Sequence, residues 1–372
     1  MQQIKKRFFL SIFFIGSVFA VPAHAQEVLV DTVTSAKAEV LEIISQEEKI
    51  ISGFELPQTI QTIRAHVTTG LETGKDIVIE NDYLNLAIGD VFYFTKTIRA
   101  EDGQVIYFVS EPDRMPVLYV LFALFLLAVF WVGGKQGVRG LVTLIGSLVL
   151  IMTVFLPGLL KGFPPVLASL IVSALIIVLG SYVTHGKNKT THAAVIGMLI
   201  TIVVTGILAA VAVTAAKLTG LSSDEAVYLT VNVSGSIDMA GLLLGGILIG
   251  LLGILYDVAI GQAVAVEEIA AAGAHLSPKQ IYKRAIRMGR EHIGALVDTL
   301  AIVYVGAALP LLLLFFMGGN GSASVIEILN REVFAEEIVR ILVGSIGLII
   351  AVPITTLIAT RMLTKKTNEQ NT

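Results

Sequence analysis

Apolar residues follow two different periods along this chain. From Gln26 to Arg114 they alternate with polar residues or gather in β-branched runs between Gly and Asp-Gly turns, the pattern of half-buried strands. Candidate strands are Ala38–Ile44, Gln58–Thr68, Lys75–Glu80, Val91–Thr97 and Gln104–Phe108, with Asp102-Gly103 predicting a hairpin between the last two. Five short strands suit a small barrel of the OB or SH3-like kind. Beyond Pro116 the alternation gives way to seven apolar runs: Val117–Gly134, Leu141–Leu160, Pro165–Val183, Ala193–Ala216, Met239–Tyr256, Ile293–Met317 and Ile338–Thr360. Each is about long enough to cross a bilayer as a helix, so the expected fold is a small β-rich domain followed by an all-α bundle of about seven transmembrane helices.

Composition sharpens this picture. A hydrophobic content of 55%, only 15% charged residues and a mean hydropathy of +0.83 describe a multi-pass membrane protein. Lys5, Lys6 and Arg7 precede the apolar run Phe8–Val21, and Ala23-His24-Ala25 fits a small-x-small cleavage site, which predicts a signal peptide over residues 1–25. The expected plan is then an extracytoplasmic β domain over 26–114, a transmembrane domain over 115–363 and a cytoplasmic tail over 364–372. Charge placement agrees with an outer β domain. Predicted inner loops hold twelve Lys and Arg (Lys135, Arg139, Lys187, Lys189, Lys279, Lys283, Arg284, Arg287, Arg290, Arg361, Lys365, Lys366) against four outside (Lys161, Lys217, Arg331, Arg340).

Several chemistries drop out. Zero cysteines exclude disulfides, thiolate metal sites and cysteine nucleophiles. No H-E-x-x-H, Walker loop or G-x-S-x-G signals an enzyme, and His185, His192, His275 and His292 lack metal-ligand spacing, so neither a metal nor another cofactor is expected. Basic residues outside the membrane are too few for nucleic acid. The expected partners are the lipid bilayer and a second copy or another membrane subunit.

The candidate residues cluster between Asn232 and His292. Gly246, Gly250 and Gly253 fall on one face of the fifth run, a predicted close helix contact, and Asp257 continues that face. Asp298 lies about 7.5 Å past Ile293 in an apolar run, where an unpaired carboxylate is costly and suggests function. Asp257 and Asp298, with Gln262, form the candidate ion, proton or polar intramembrane site, and the two acids are expected to face each other with Arg287 or Arg290 as a competing structural partner. Ser277-Pro278-Lys279-Gln280 is a capping box, and the helix it starts carries Lys279, Lys283, Arg287 and Arg290 on one face, an array for anionic headgroups or a partner at the inner surface. Asp238 reads as a helix cap, and Glu336 with Arg340, spaced i, i+4, as a mutually neutralising structural pair.

Ile237-Asp238 before the glycine-spaced span, Asp257 to Glu268, Arg287-Met288-Gly289-Arg290-Glu291-His292-Ile293-Gly294, Asp298-Thr299-Leu300, Tyr304-Val305-Gly306-Ala307-Ala308-Leu309-Pro310, Gly344-Ser345-Ile346-Gly347 and Pro353-Ile354-Thr355-Thr356 together resemble the YibE/F family of bacterial multi-pass membrane proteins. The resemblance implies architecture and location rather than chemistry. Glycine-packed helices, spans expected to break at Pro157, Pro310 and Pro353, and inner acids favour a permease or transport-related protein for a small solute or ion. Two alternatives stand beside it: a membrane-anchored assembly or signalling protein whose exported β domain binds a partner, and a permease subunit coupled to a cytosolic ATPase through Glu267 and Gly273.

Overall fold

The computed structural model describes residues 31–49, 57–82, 84–232, 237–273, 275–318 and 324–364. The expected signal peptide, Lys365 and Lys366 lie outside the described residues. The chain divides into two compact units, Met1–Phe125 and Leu126–Thr372.

The first unit is a curled antiparallel sheet of β1 (Thr32–Lys49), β2 (Gln58–Val67), β3 (Asp76–Asn81), β4 (Val91–Ile98) and β5 (Val105–Pro112), hydrogen-bonded in the order β3-β2-β1-β4-β5. The long β1 explains the curl. Its first half pairs with β4 and its second half with β2, and irregular register at Val40/Glu42 and Ile43/Ser45 increases the local twist between them. Edges β3 and β5 thereby approach each other. Alternate residues point inward: Ala38, Val40, Ile63, Ala65, Phe92 and Phe94 are at most 1% exposed and form the core. The β4–β5 hairpin turns at Asp102-Gly103 as expected, with Gly103 at φ +66°. Buried Gln61 fastens the loop after β3: its Nε2 donates to Leu86 O (2.9 Å), and its Oε1 accepts from Leu86 N (3.0 Å) and Asn81 Nδ2 (2.9 Å).

The helices described are α1 (Met115–Ala128), α2 (Gly134–Leu150), α3 (Leu156–Leu160), α4 (Pro165–His185), α5 (Lys189–Ala215), α6 (Asp224–Asn232), α7 (Met239–Ala272), α8 (Pro278–Ala307), α9 (Leu309–Gly318), α10 (Val325–Leu329) and α11 (Glu332–Leu363). Wide π turns at Val129–Gly133 and Ile151–Phe155 join the first three. Five helical stretches are long and apolar enough to cross a membrane: Met115–Leu160, Pro165–His185, Lys189–Ala215, Met239–Ala272 and Glu332–Leu363. The first, 46 residues, holds two of the predicted runs, and Gly134 (φ +50°) interrupts it between them. The predicted sixth run is divided between α8 and α9 at Ala308, just before Pro310, which has no N–H to continue the ladder. The second half of α8 also carries Arg290, Glu291 and Asp298, and α9 has only 10 residues, so neither piece counts among the five. Pro353, by contrast, sits inside an unbroken α11.

Caps set the helix starts. Asp238 accepts from Gly241 N (3.0 Å), Asn188 from Thr191 N (2.7 Å), and Ser277 with Gln280 completes the predicted capping box. Helices α7 and α11 are central: α7 packs on α4, α5, α8 and α11, and α11 also on α5 and α8. Ile247, Leu248, Leu251, Leu255, Met198, Ile202 and Leu348 form the dry middle of this core. In contrast α1 buries no residue, and an apolar surface of that size is stable against acyl chains rather than water.

Candidate functional site

The predicted site residues take separate places. Asp257 and Asp298 are both exposed and make no ion pair among the described residues, so neither Arg287 nor Arg290 serves as their partner. The titratable side chains near Asp257 are those of His292 and His185, and the His185 ring also lies 5.7 Å from that of Tyr256. Asp298 stands six residues, about 9 Å, further along α8 than His292, which accounts for the two acids not meeting. Gln262 is a packing residue. It is 6% exposed, and its Nε2 donates to Ala285 O (2.8 Å), tying α7 to α8 where Gly289 admits its side chain.

The glycine seam also lies elsewhere than predicted. A Cβ at Gly246 or Gly253 would meet nothing within 4 Å, and one at Gly250 would meet only Tyr304 OH at 3.0 Å. Close approach instead depends on Gly197, whose Cβ would stand 2.5 Å from Thr355 Oγ1, and on Gly347, 2.6 Å from Thr205 Oγ1. Lys279, Lys283, Arg287 and Arg290 are exposed and unpaired among the described residues, opposite the buried stripe of Ile281, Ala285 and Gly289. Glu267 and Gly273 border a cavity of about 550 Å³ with His275 and Leu276.

A cavity of about 900 Å³ explains the open space at Gly246. It lies where the N-terminal turns of α7 and α11 meet the C-terminal end of α8, lined by Gly246, Leu242 and Leu243 of α7, Tyr304 and Ala307 of α8, Pro310 of α9, and Glu336, Glu337 and Arg340 of α11. From Met239 to Gly246 it extends about 10 Å along α7, roughly a third of a bilayer's hydrocarbon thickness. A side chain at position 246 would stand in this space. Ala308, where α8 gives way to α9, is also in the wall.

Its polar groups come mainly from α11 and the loop before α6, with Glu225 of α6 and Tyr304 of α8. Glu332 fastens that loop by accepting from Thr219 N, Thr219 Oγ1 (2.8 Å) and Gly220 N (3.0 Å). One turn on, Glu336 is 6% exposed; Ser222 Oγ donates to its Oε2 (2.6 Å), while its Oε1 is buried without a partner. Arg340 pairs with Glu337 at 3.5 Å, not with Glu336, and its buried Nε also has no partner. The expected i, i+4 pair is therefore an i, i+3 pair that leaves one carboxylate over. Each such unmade buried bond costs about 1–3 kcal/mol. The signal that could have revealed this wall is three acids, Glu332, Glu336 and Glu337, in the first turns of an otherwise apolar helix. Among the described residues no group of three or more His, Cys, Asp or Glu could hold a metal ion.

No curated protein and no solved structure matches the chain. The family model described as YibE/F-like protein matches residues 121–365, from within α1 to just past the end of α11. This span takes in the five-helix core and every wall of the large cavity, and with it the chain belongs to the YibE/F-like family.

Proposed function

We propose that this chain is a multi-pass membrane permease for a small solute or ion, with the cavity around Glu336 as its solute site. The observation that carries the reading is a carboxylate, Glu336, that is only 6% exposed in the wall of a cavity of about 900 Å³ between apolar helices, while the partly exposed Arg340 one turn away pairs with Glu337 instead. Retaining such groups is expensive in a purely structural bundle, and intramembrane ionisable residues mark solute and ion paths. Helix breaks beside the site, at Ala308 and Pro310, supply irregular backbone where it lines a cavity. In this reading the 46-residue helical run crosses twice, α8 and α9 together cross once, and seven spans place the β domain outside the cell membrane and the C-terminus inside. The curled sheet, with its β3 and β5 edges approaching, is then a small OB-like barrel that serves as an exported module.

Counterflow in proteoliposomes tests the function. Labelled amines, amino acids, carboxylates and monovalent cations are offered in turn, and at least one class should be carried by the wild type and lost in Glu336→Gln. Absence of flux for every class, with folded and inserted protein, would favour the membrane-anchored assembly role instead.

A further inference from the structure

Asp298 stands on the side of α8 turned away from the bundle. Leu300, two residues on, is buried with its side chain against Gly344 of α11, and the Tyr304 hydroxyl reaches Gly250 of α7. At 3.6 residues per turn Asp298 is rotated roughly 160° from Leu300, so it faces away from both helices. It is exposed and has no ion pair among the described residues. Gly294 and Ile302, one turn to either side, share this face and are exposed with it. Asp238 and Asp257 bracket about 28 Å of α7, close to the thickness of a hydrocarbon core, and Asp298 lies about 9 Å inside the level of His292 and Asp257. It is therefore about a third of the way through the membrane. A carboxylate facing acyl chains at that depth is costly unless a neighbour hydrogen-bonds it.

The chemistry of the face identifies that neighbour. Every copy of the chain inserts in the same direction, so a two-fold axis normal to the bilayer brings Asp298 of one protomer to the partner's Asp298 at the same depth. A pair of carboxyl groups is self-complementary, because the protonated one donates to the ionised one. A different membrane protein would have to present a donor at this same depth; an identical copy does so by symmetry. Gly294 opens the approach. A Cβ there would meet nothing within 4 Å, and membrane helices come together at small residues beside polar ones.

We propose that the outer face of α8, around Gly294, Asp298 and Ile302, is a two-fold interface with a second copy of this chain, closed by a hydrogen bond between the two Asp298 carboxyl groups. Tyr304 and Ala307, on the opposite side of α8, line the large cavity, so pairing leaves that cavity open. The interface rests on the membrane crossing of α8 and not on a solute at Glu336.

The cysteine-free, full-length chain allows the contact to be read in its own membrane. Ile302→Cys, one turn from Asp298, and Val203→Cys, on the exposed apolar face of α5, are each oxidised with copper phenanthroline. Position 302 should give a cross-linked dimer of the chain and position 203 none. In the Ile302→Cys background, Asp298→Leu, which loses the hydrogen bond at similar volume, should slow cross-linking at least tenfold. Asp298→Asn, whose amides also pair with each other, should retain most of it. Gly294→Leu should slow it as much as Asp298→Leu while leaving the thermal midpoint in detergent close to wild type, and it serves as the second variant should Asp298→Leu fail to fold. No dimer at position 302, equal dimer at 302 and 203, undiminished cross-linking in Gly294→Leu, or a cross-link from 302 to a different protein alone would each overturn the interface. Labelling of position 302 by a membrane-impermeant maleimide would overturn it through the crossing of α8. Failure of counterflow with the cross-link intact removes the permease reading and keeps the interface.

Discussion

Gly197 of α5 and Gly253 of α7 look alike in sequence and differ in what surrounds them. An added Cβ at Gly197 would lie 2.5 Å from Thr355 Oγ1 and 3.1 Å from Thr355 Cα, so backbone as well as side chain would have to move. Gly197→Ala should destabilise the membrane domain by about 1–3 kcal/mol, the usual cost of overpacking. At Gly253 nothing lies within 4 Å, and Gly253→Ala should gain up to about 1 kcal/mol of helix propensity. Thermal midpoints in detergent separate the two, and equal shifts would mean that α5 and α11 do not meet at this glycine. Gln262→Leu, which removes the donor to Ala285 O, should cost about 1 kcal/mol and loosen α7 from α8, read as faster amide exchange in both helices.

Helix and strand boundaries carry the next set of expectations. Gly134 divides the 46-residue helical run at φ +50° and ψ −139°, a conformation for which other residues are strained by about 1–3 kcal/mol, so Gly134→Ala should lower the thermal midpoint although its Cβ meets no atom. In the β unit the Lys96 ammonium, hydrogen-bonded at 3.0 Å, holds the Glu72 carboxyl below its ordinary value of 4.5, with Lys75 adding to the effect. A depressed acid stabilises the fold above that ordinary value and loses its contribution as pH falls through the folded one. Amide protection in β4, corrected for intrinsic exchange, should therefore fall on acidification below about pH 4.5 in the wild type and change less in Glu72→Gln. The strands, the Asp102-Gly103 hairpin and the Ser277 cap were legible in the sequence because each depends on neighbours a few residues away. The cavity was not. Which of Glu336 and Glu337 takes Arg340 is decided by side-chain placement among α7, α8 and the α6 loop, and spacing along α11 favoured the wrong one. Counting glycines likewise picked Gly246 and Gly253 for a seam, because their period is visible while the neighbour that would fill or leave the space is not.

At the scale of the whole molecule, three groups stand out among the charged and titratable residues of the apolar bundle: the basic face of α8, the His185, Asp257 and His292 group, and the wall of the large cavity. The last sets a buried carboxylate, Glu336, beside open volume, and the account rests on its being a water-accessible path inside the membrane domain. The cysteine-free chain allows this to be measured directly. Ala308→Cys, in the cavity wall, and Val203→Cys, on the exposed apolar face in the middle of α5, are each reconstituted and treated with a charged, membrane-impermeant maleimide. The account predicts rapid labelling at position 308, suppressed by adding Gly246→Phe, and none at position 203 until the protein is denatured. Protection of both positions until denaturation, or labelling at 308 that Gly246→Phe leaves untouched, would contradict it.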